Sequence, residues 1–305
     1  MRRAFTAICL ALAMCLALTG CDSQDYEKAV KLQEAGDCEA ALELLRSIES
    51  YEDSADRIAQ CERLVAAAGG FDSAKNAATK KNSDLDAAIL RFEGLATGEE
   101  QALDEDLLPS LEMAISSAIA AKKPISEMPS DVADIEAATS KLNAIDYTEV
   151  LLSLEKSGSA LEASIRQYAL VNAPSEVSVI ARLKKVPTVT KMAAVTEGND
   201  PNGQLNKAGG YTAQMYFYSN MIDQKRIAGK GVIGKGTDGG GSIEVYTTPE
   251  DAEKRNAYLA GFDGSIFASG SHKVIGTVIV RTSSKLKASQ QKKLQADLIA
   301  ALTSI

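Results

Sequence analysis

Apolar residues recur at helical spacing from residue 25 to residue 68, in three short runs. Tyr26, Ala29, Leu32 and Ala35 share one face of a first helix, and Gly36-Asp37 turns the chain. Ala41, Leu44, Leu45 and Ile48 form the stripe of a second helix. Ser50 to Asp53 starts a third, whose stripe is Ala55, Ile58, Cys61 and Val65. From residue 70 to residue 172 the pattern stays helical. Phe71 to Ala96 reads as one helix with Leu85, Ile89 and Phe92 inward. Leu103 to Ala121 reads as the next, with Leu107, Leu111, Ile115 and either Ala118 or Ile119 inward. Pro109 either kinks that helix or marks its true start. Two more helices follow, Asp131 to Leu142 and Tyr147 to Leu170, and Asn172-Ala173-Pro174 breaks the last.

The pattern then changes period. Ser175 to Lys185 is helical, Val189 to Thr196 reads as a strand, and residues 197–210 are turn-rich. Tyr211 to Tyr218 alternates, which puts Tyr211, Ala213, Met215 and Phe217 on one face. Ile243 to Tyr246 and Lys273 to Arg281 read as strands, the second as a central one. Between them Thr248-Pro249-Glu250-Asp251 opens a helix: a hydroxyl cap, Pro at the first position, acids in the first turn. Ser289 is the predicted cap of a last helix with Leu294, Leu298 and Leu302 inward. The order α-β-β-β-α-β-α predicts an α+β domain with a mostly antiparallel sheet over residues 173–305, after an all-helical part.

Charge sharpens this division. Residues 21–172 carry 14 Lys and Arg against 30 Asp and Glu, a net −16. Residues 173–305 carry 17 against 11, a net +6. Opposite signs predict two modules, a helical stalk and a basic head, and a basic head suits an anionic envelope polymer or lipid headgroup. No dense basic patch interleaves with aromatics, so nucleic acid is not the expected partner. Trp is absent, so the cores rest on Ala, Leu, Ile and Val.

The start of the chain carries a targeting pattern. Met1-Arg2-Arg3 is basic, Ala4 to Leu18 is apolar but too short to span a bilayer, and Leu18-Thr19-Gly20 leads to Cys21. This resembles the bacterial lipoprotein signal. The resemblance implies removal of residues 1–20 and a diacylglyceryl group on Cys21, which holds the chain on the extracytoplasmic face of the cell membrane. Residues 21–69, in the order Tyr26, Ala29, Leu32, Gly36, Ala40 and Leu44, resemble one tetratricopeptide repeat, followed by a helix common in Gram-positive secreted proteins. One such repeat cannot bury its face alone, so residues 70–172 are expected to cover it as a bundle or stalk. Residues 173–305, through segments such as "NAPSEVSVIARLKKV", "GKGTDGGGSIEVYTTPEDAEKRNAYLAGFDG" and "ASGSHKVIGTVIVRTS", resemble a domain of Gram-positive lipoproteins and surface proteins. That resemblance implies envelope placement and no particular chemistry.

Candidate chemistry is sparse. Gly236 to Ser242 is glycine-rich, but a P-loop needs a strand before it and a helix after it, whereas this loop leads into a strand. Glycines that let the chain turn into the strand at Ile243 are the simpler reading. Asn199 to Gln204 has acid-amide-glycine content, yet aligning Gly203 with the EF-hand glycine puts Gly198 and Gly209 where carboxylates belong. An irregular cation site from Glu197, Asp200, Asn202 and Asp238 stays open beside a plain turn. His272 is the sole histidine, with Ser269, Ser271 and Asp263 near in sequence, but no G-x-S-x-G elbow exists. Cys38 and Cys61 lack metal spacing. Only Glu49 to Asp53 separates their helices, which predicts proximity, either as a disulfide or with Cys61 as a small buried apolar residue and Cys38 as an exposed thiol beside the turn. The expected function is non-enzymatic binding or scaffolding in the envelope, without a cofactor. The partners are the membrane through its lipid anchor, and an anionic polymer or another surface protein. The alternatives are a wall-directed hydrolase and a solute-binding lipoprotein.

Overall fold

A computed structural model describes residues 21–265 and 268–305; the predicted signal peptide, residues 1–20, lies outside them. The fold class is α+β, with helices dominating the N-terminal part and a five-stranded antiparallel sheet lying C-terminal. The described residues divide into two compact units, 21–90 with 117–152, and 91–116 with those from 153 on. The division therefore runs elsewhere than at the expected 172/173. The reason is packing: Val171 is fully buried in the core of the sheet and Leu103 lies against it. The Thr277 amide also donates to the Val171 carbonyl at 3.0 Å.

In the first unit, α1 (21–34) and α2 (Cys38–Ser47) pack with the start of α3 (Ser54–Ala96) around Ala29, Ala41, Leu42, Leu45, Cys38 and Cys61. Asp37 caps α2 by accepting from the Ala40 amide at 3.1 Å. The sequence predicted a break near Gly69-Gly70, but α3 is one helix of 43 residues. Each helical glycine costs about 1 kcal/mol against Ala. Burial of Cys61 and Phe71 on either side holds the helix together across the pair. α4 (Leu107–Ala121) starts later than predicted, so Pro109 sits in its first turn, where no N–H is needed. Its inward position is Ala118; Ile119 faces solvent. α5 (Val132–Asn143) and α6 (Thr148–Val171) follow, both within a residue or two of the predicted spans.

In the second unit, α7 (Glu176–Leu183), β1 (Val189–Ala194) and β2 (Ala213–Ser219) lead to a one-turn helix α8 (Gly231–Lys235) and a 3-10 turn over Gly236–Gly239. Then come β3 (Gly240–Val245), α9 (Pro249–Ala260), β4 (His272–Ile275), β5 (Val278–Thr282) and α10 (Ala288–Leu302). The sheet order is β1-β2-β3-β5-β4, with every neighbouring pair antiparallel. Lys273 to Arg281 is thus a hairpin rather than one strand. Ile275 pairs with Val278, and Gly276-Thr277 forms the two-residue turn. Gly276 has φ +57, the left-handed geometry that favours glycine in such turns. α9 begins as predicted, with the Thr248 hydroxyl accepting from the Asp251 amide and Pro249 at the first position. α10 differs. The side chain of Gln290 accepts from the Lys287 amide at 3.0 Å, so the cap lies two residues before Ser289.

One face of the sheet is apolar. Ala213, Met215, Phe217, Ile243, Val245, Val278 and Val280 bury against Val179 and Leu183 of α7 and Leu294, Leu298 and Leu302 of α10. Tyr211 does not join them. It precedes β2 and lies in a second cluster with Tyr246, Ala252, Leu259 and Ile279.

Candidate functional site

The other face of the sheet is polar and equally buried. The strand register lines up Tyr216, Ser242, Arg281 and His272 in one row, and Gln214, Glu244, Ile279 and Val274 in the next. α9 covers this face with Ala252, Arg255 and Leu259, which fall on one helical stripe. Glu244 stands at the centre, fully buried. Its Oε1 accepts from Arg281 Nη1 at 2.6 Å and from Gln214 Nε2 at 3.3 Å. Its Oε2 accepts from the Tyr246 hydroxyl at 2.8 Å and from Arg255 Nε at 3.1 Å. Arg281 Nη2 donates to the Ser269 hydroxyl at 2.8 Å.

Burial alone would raise the Glu244 carboxyl, because the interior disfavours its charge. The charges and hydrogen bonds of Arg281 and Arg255 outweigh burial, and the net direction is down. Burial is also the largest influence on the Tyr246 phenol, with the Glu244 charge adding to it, and both push that phenol up. Burial and Glu244 raise Tyr216 in the same way. The carboxylate is therefore charged and the phenols neutral across the ordinary range. The cluster carries two guanidinium groups against one carboxylate.

A cavity of about 340 Å³ opens beside the cluster, lined by Asn202, Tyr216, Thr237, Arg255, Tyr258, Ser269 and Arg281 among others. A second, of about 430 Å³, lies on the Tyr246 and Asp251 side of Arg255. A larger one, about 760 Å³, is lined by Leu103, Leu161, Tyr168, Glu250, Ile275 and Ile299 among others, away from the charged cluster.

The residues singled out from sequence are placed as follows. Asp200 organises its own loop. Its Oδ2 accepts from the amides of Gln204 at 2.6 Å and Leu205 at 2.8 Å, and its Oδ1 accepts from the Asn202 amide at 2.9 Å and from the Tyr211 hydroxyl. Asn202 donates to the side chain of Gln214 at 3.4 Å. Glu197 accepts from Asn206 at 3.1 Å, and Asp238 pairs with Lys285 at 3.4 Å. The irregular cation site is thus not assembled: the Asp200 oxygens already face N–H and O–H donors. No group of three or more His, Cys, Asp or Glu side chains placed to hold a metal occurs among the described residues. Burial raises the Asp200 carboxyl, but its hydrogen bonds outweigh this and hold it at about 2. A lowered folded value gives stability that is present above about pH 4 and lost as pH falls toward 2. Asp200→Asn is expected to cost about 1–2 kcal/mol at neutral pH, discounted for partial exposure. The gap from wild type should close on acidification to pH 2. Urea denaturation at both ends checks this, and a gap independent of pH would contradict it.

His272 Nδ1 lies 2.6 Å from Asn256 Oδ1, and Nε2 lies 3.3 Å from Asp263 Oδ2 without hydrogen-bond alignment. Ser271 pairs with Thr282 and Ser269 accepts from Arg281, so neither serine is hydrogen-bonded to the histidine. The glycine-rich segment enters the sheet earlier than predicted, since β3 begins at Gly240. Cys38 and Cys61 meet as the short connection predicts, but both are free thiols. Burial, then the hydrogen bond with Cys38, pushes Cys61 up to about 12. Cys21 is the sole exposed cysteine among the described residues and lies in α1.

The Glu244, Arg255 and Arg281 cluster is the feature that sequence reasoning missed. The available signal was Arg255, on the same stripe as Ala252 and Leu259 of a capped amphipathic helix. No protein-family model, curated protein or solved structure matches the chain.

Proposed function

We propose that the chain is a lipid-anchored, non-enzymatic binding or scaffolding protein on the extracytoplasmic face of the cell membrane. The observation that carries this reading is Cys21. It is exposed, and it directly follows a basic and apolar leader that ends in small residues. The other two described cysteines are buried, which leaves Cys21 as the accessible sulfur among them. No helix of the described residues is long and apolar enough to cross a membrane, so attachment through lipid is the consistent means. Two acyl chains suffice for stable anchoring, at about 0.8 kcal/mol for each buried methylene. The net +6 over residues 173–305 supports an anionic envelope polymer or another surface protein as partner.

Cys21→Ser is expected to move essentially all of the protein from the membrane fraction to the soluble fraction on cell fractionation. Retention of the variant in membranes at the wild-type level would overturn the reading.

A further inference from the structure

We infer that the cavity beside Arg255 and Arg281 binds a small ligand through an oxyanion group, a carboxylate or a phosphate. The inference deepens the proposed binding function and rests on it only for the word binding.

Charge balance comes first. Arg255 and Arg281 both bond Glu244, which leaves one positive charge uncompensated, shared between a buried Arg281 and a partly buried Arg255. Buried charges are normally paired, because removing an ion from water costs several kcal/mol. Four carboxylates of the same unit are engaged elsewhere. Asp200 accepts from Tyr211 and three amides, Asp251 pairs with Lys254, Asp263 faces His272, and Asp238 pairs with Lys285.

Unused donors come second. Arg281 is only 7% exposed, and its buried Nε has no hydrogen-bond partner among the described residues. Arg255 bonds Glu244 through Nε alone, and its terminal nitrogens make no hydrogen bond to the described residues. Its guanidinium lies 5.2 Å from the Tyr258 ring centre, whose face favours a cation. Both arginines line the same cavity of about 340 Å³, together with the hydroxyl-bearing Tyr216 and Thr237 and the amide of Asn202. Water in the cavity would not balance the charge. An oxyanion does, and guanidinium binds carboxylate and phosphate with matched geometry.

The test is thermal denaturation of the purified full chain in rising inorganic phosphate, or rising acetate, against chloride at matched ionic strength. A ligand that binds only the folded state raises the melting temperature by mass action. The expected result is a rise with phosphate, acetate or both, beyond chloride. Phosphate alone identifies a phosphate ligand, acetate alone a carboxylate, and both a general oxyanion site. Two variants locate the site. Arg255→Gln removes the excess charge while leaving Glu244 paired with Arg281. Thr237→Asp supplies a tethered carboxylate at the cavity wall and does not depend on removing any member of the cluster. Each is expected to weaken the anion response at least tenfold. Phosphate and acetate both indistinguishable from chloride, or a wild-type response in Thr237→Asp, would overturn the inference. The membrane fractionation of Cys21→Ser is independent of it. A head blind to anions on an anchored chain sinks only this inference, and an anion-binding chain without an anchor sinks only the proposed placement.

Discussion

Glu244→Ala is expected to destabilise the sheet-bearing unit by about 3–5 kcal/mol, the usual cost of breaking a buried ion cluster from one side. The carboxylate accepts four hydrogen bonds, two of them from guanidinium groups, and it is fully buried. Its removal leaves Arg255 and Arg281 facing each other with no counter-charge in a region of low polarisability. Two like charges are then held together with only partial screening by water, since Arg281 is buried and Arg255 partly so. The loss is large against the 5–15 kcal/mol that typically holds a domain together. Replacing Glu244 and Arg281 together by Leu should recover much of it, because both desolvation costs disappear with the pair. Urea denaturation reads both: a fall in the midpoint for Glu244→Ala, and a partial return in the double variant. A single-variant loss below about 1 kcal/mol would contradict a structural role for the carboxylate. The stabilisation also carries a sign in pH. The Glu244 carboxyl is lowered in the fold, so its contribution is complete above the ordinary carboxylate range and fades as pH falls through the folded value.

Gly241→Ala is the second large effect, expected to cost about 3 kcal/mol, the upper end for overpacking a core. Gly241 pairs with Thr282 inside the sheet. A Cβ there would lie 2.3 Å from the Arg281 carbonyl oxygen and 2.4 Å from the Phe217 ring. The carbonyl belongs to the neighbouring strand, and the ring is fully buried, so neither side yields without moving the core. The displaced strand carries Arg281, which ties this backbone packing to the charged cluster. Gly69→Ala makes the opposite control. It lies within α3 with open space around its missing Cβ, and it should gain about 0.5–1 kcal/mol from helix propensity. Thermal denaturation of the two variants should therefore shift in opposite directions. A shift of the same sign would contradict the packing argument at Gly241.

Why these two positions escaped the sequence is instructive. The cap of α9 was legible because it is local: the Thr248 hydroxyl starts the helix by accepting from an amide three residues on, with Pro249 at the first position. The α+β class was legible because the period of apolar residues changes after residue 172. Register was not. Gly241 looks like one more residue of a turn until β3 is paired with β5, and the run from Lys273 to Arg281 looks like one strand until Gly276 folds it on itself. The charged cluster was hidden for a related reason. Alternation in β3 and β5 puts Glu244 and Arg281 opposite an apolar face, and such positions ordinarily meet solvent. Here α9 and the loop around Asp200 cover them. That cover depends on tertiary contacts between residues 200, 211, 246 and 255, which no local pattern encodes. The continuity of α3 through Gly69-Gly70 is a further case in which packing overrode a local propensity.

The central claim is that Cys21 is the lipidated first residue of a membrane-anchored chain. Mass spectrometry of the N-terminal peptide, taken from protein purified out of native membranes, tests it most directly. The account predicts a peptide beginning at Cys21 whose mass carries a diacylglyceryl group on the sulfur. A membrane-bound chain with an unmodified Cys21, or a peptide that reads through from residues 1–20, would contradict it.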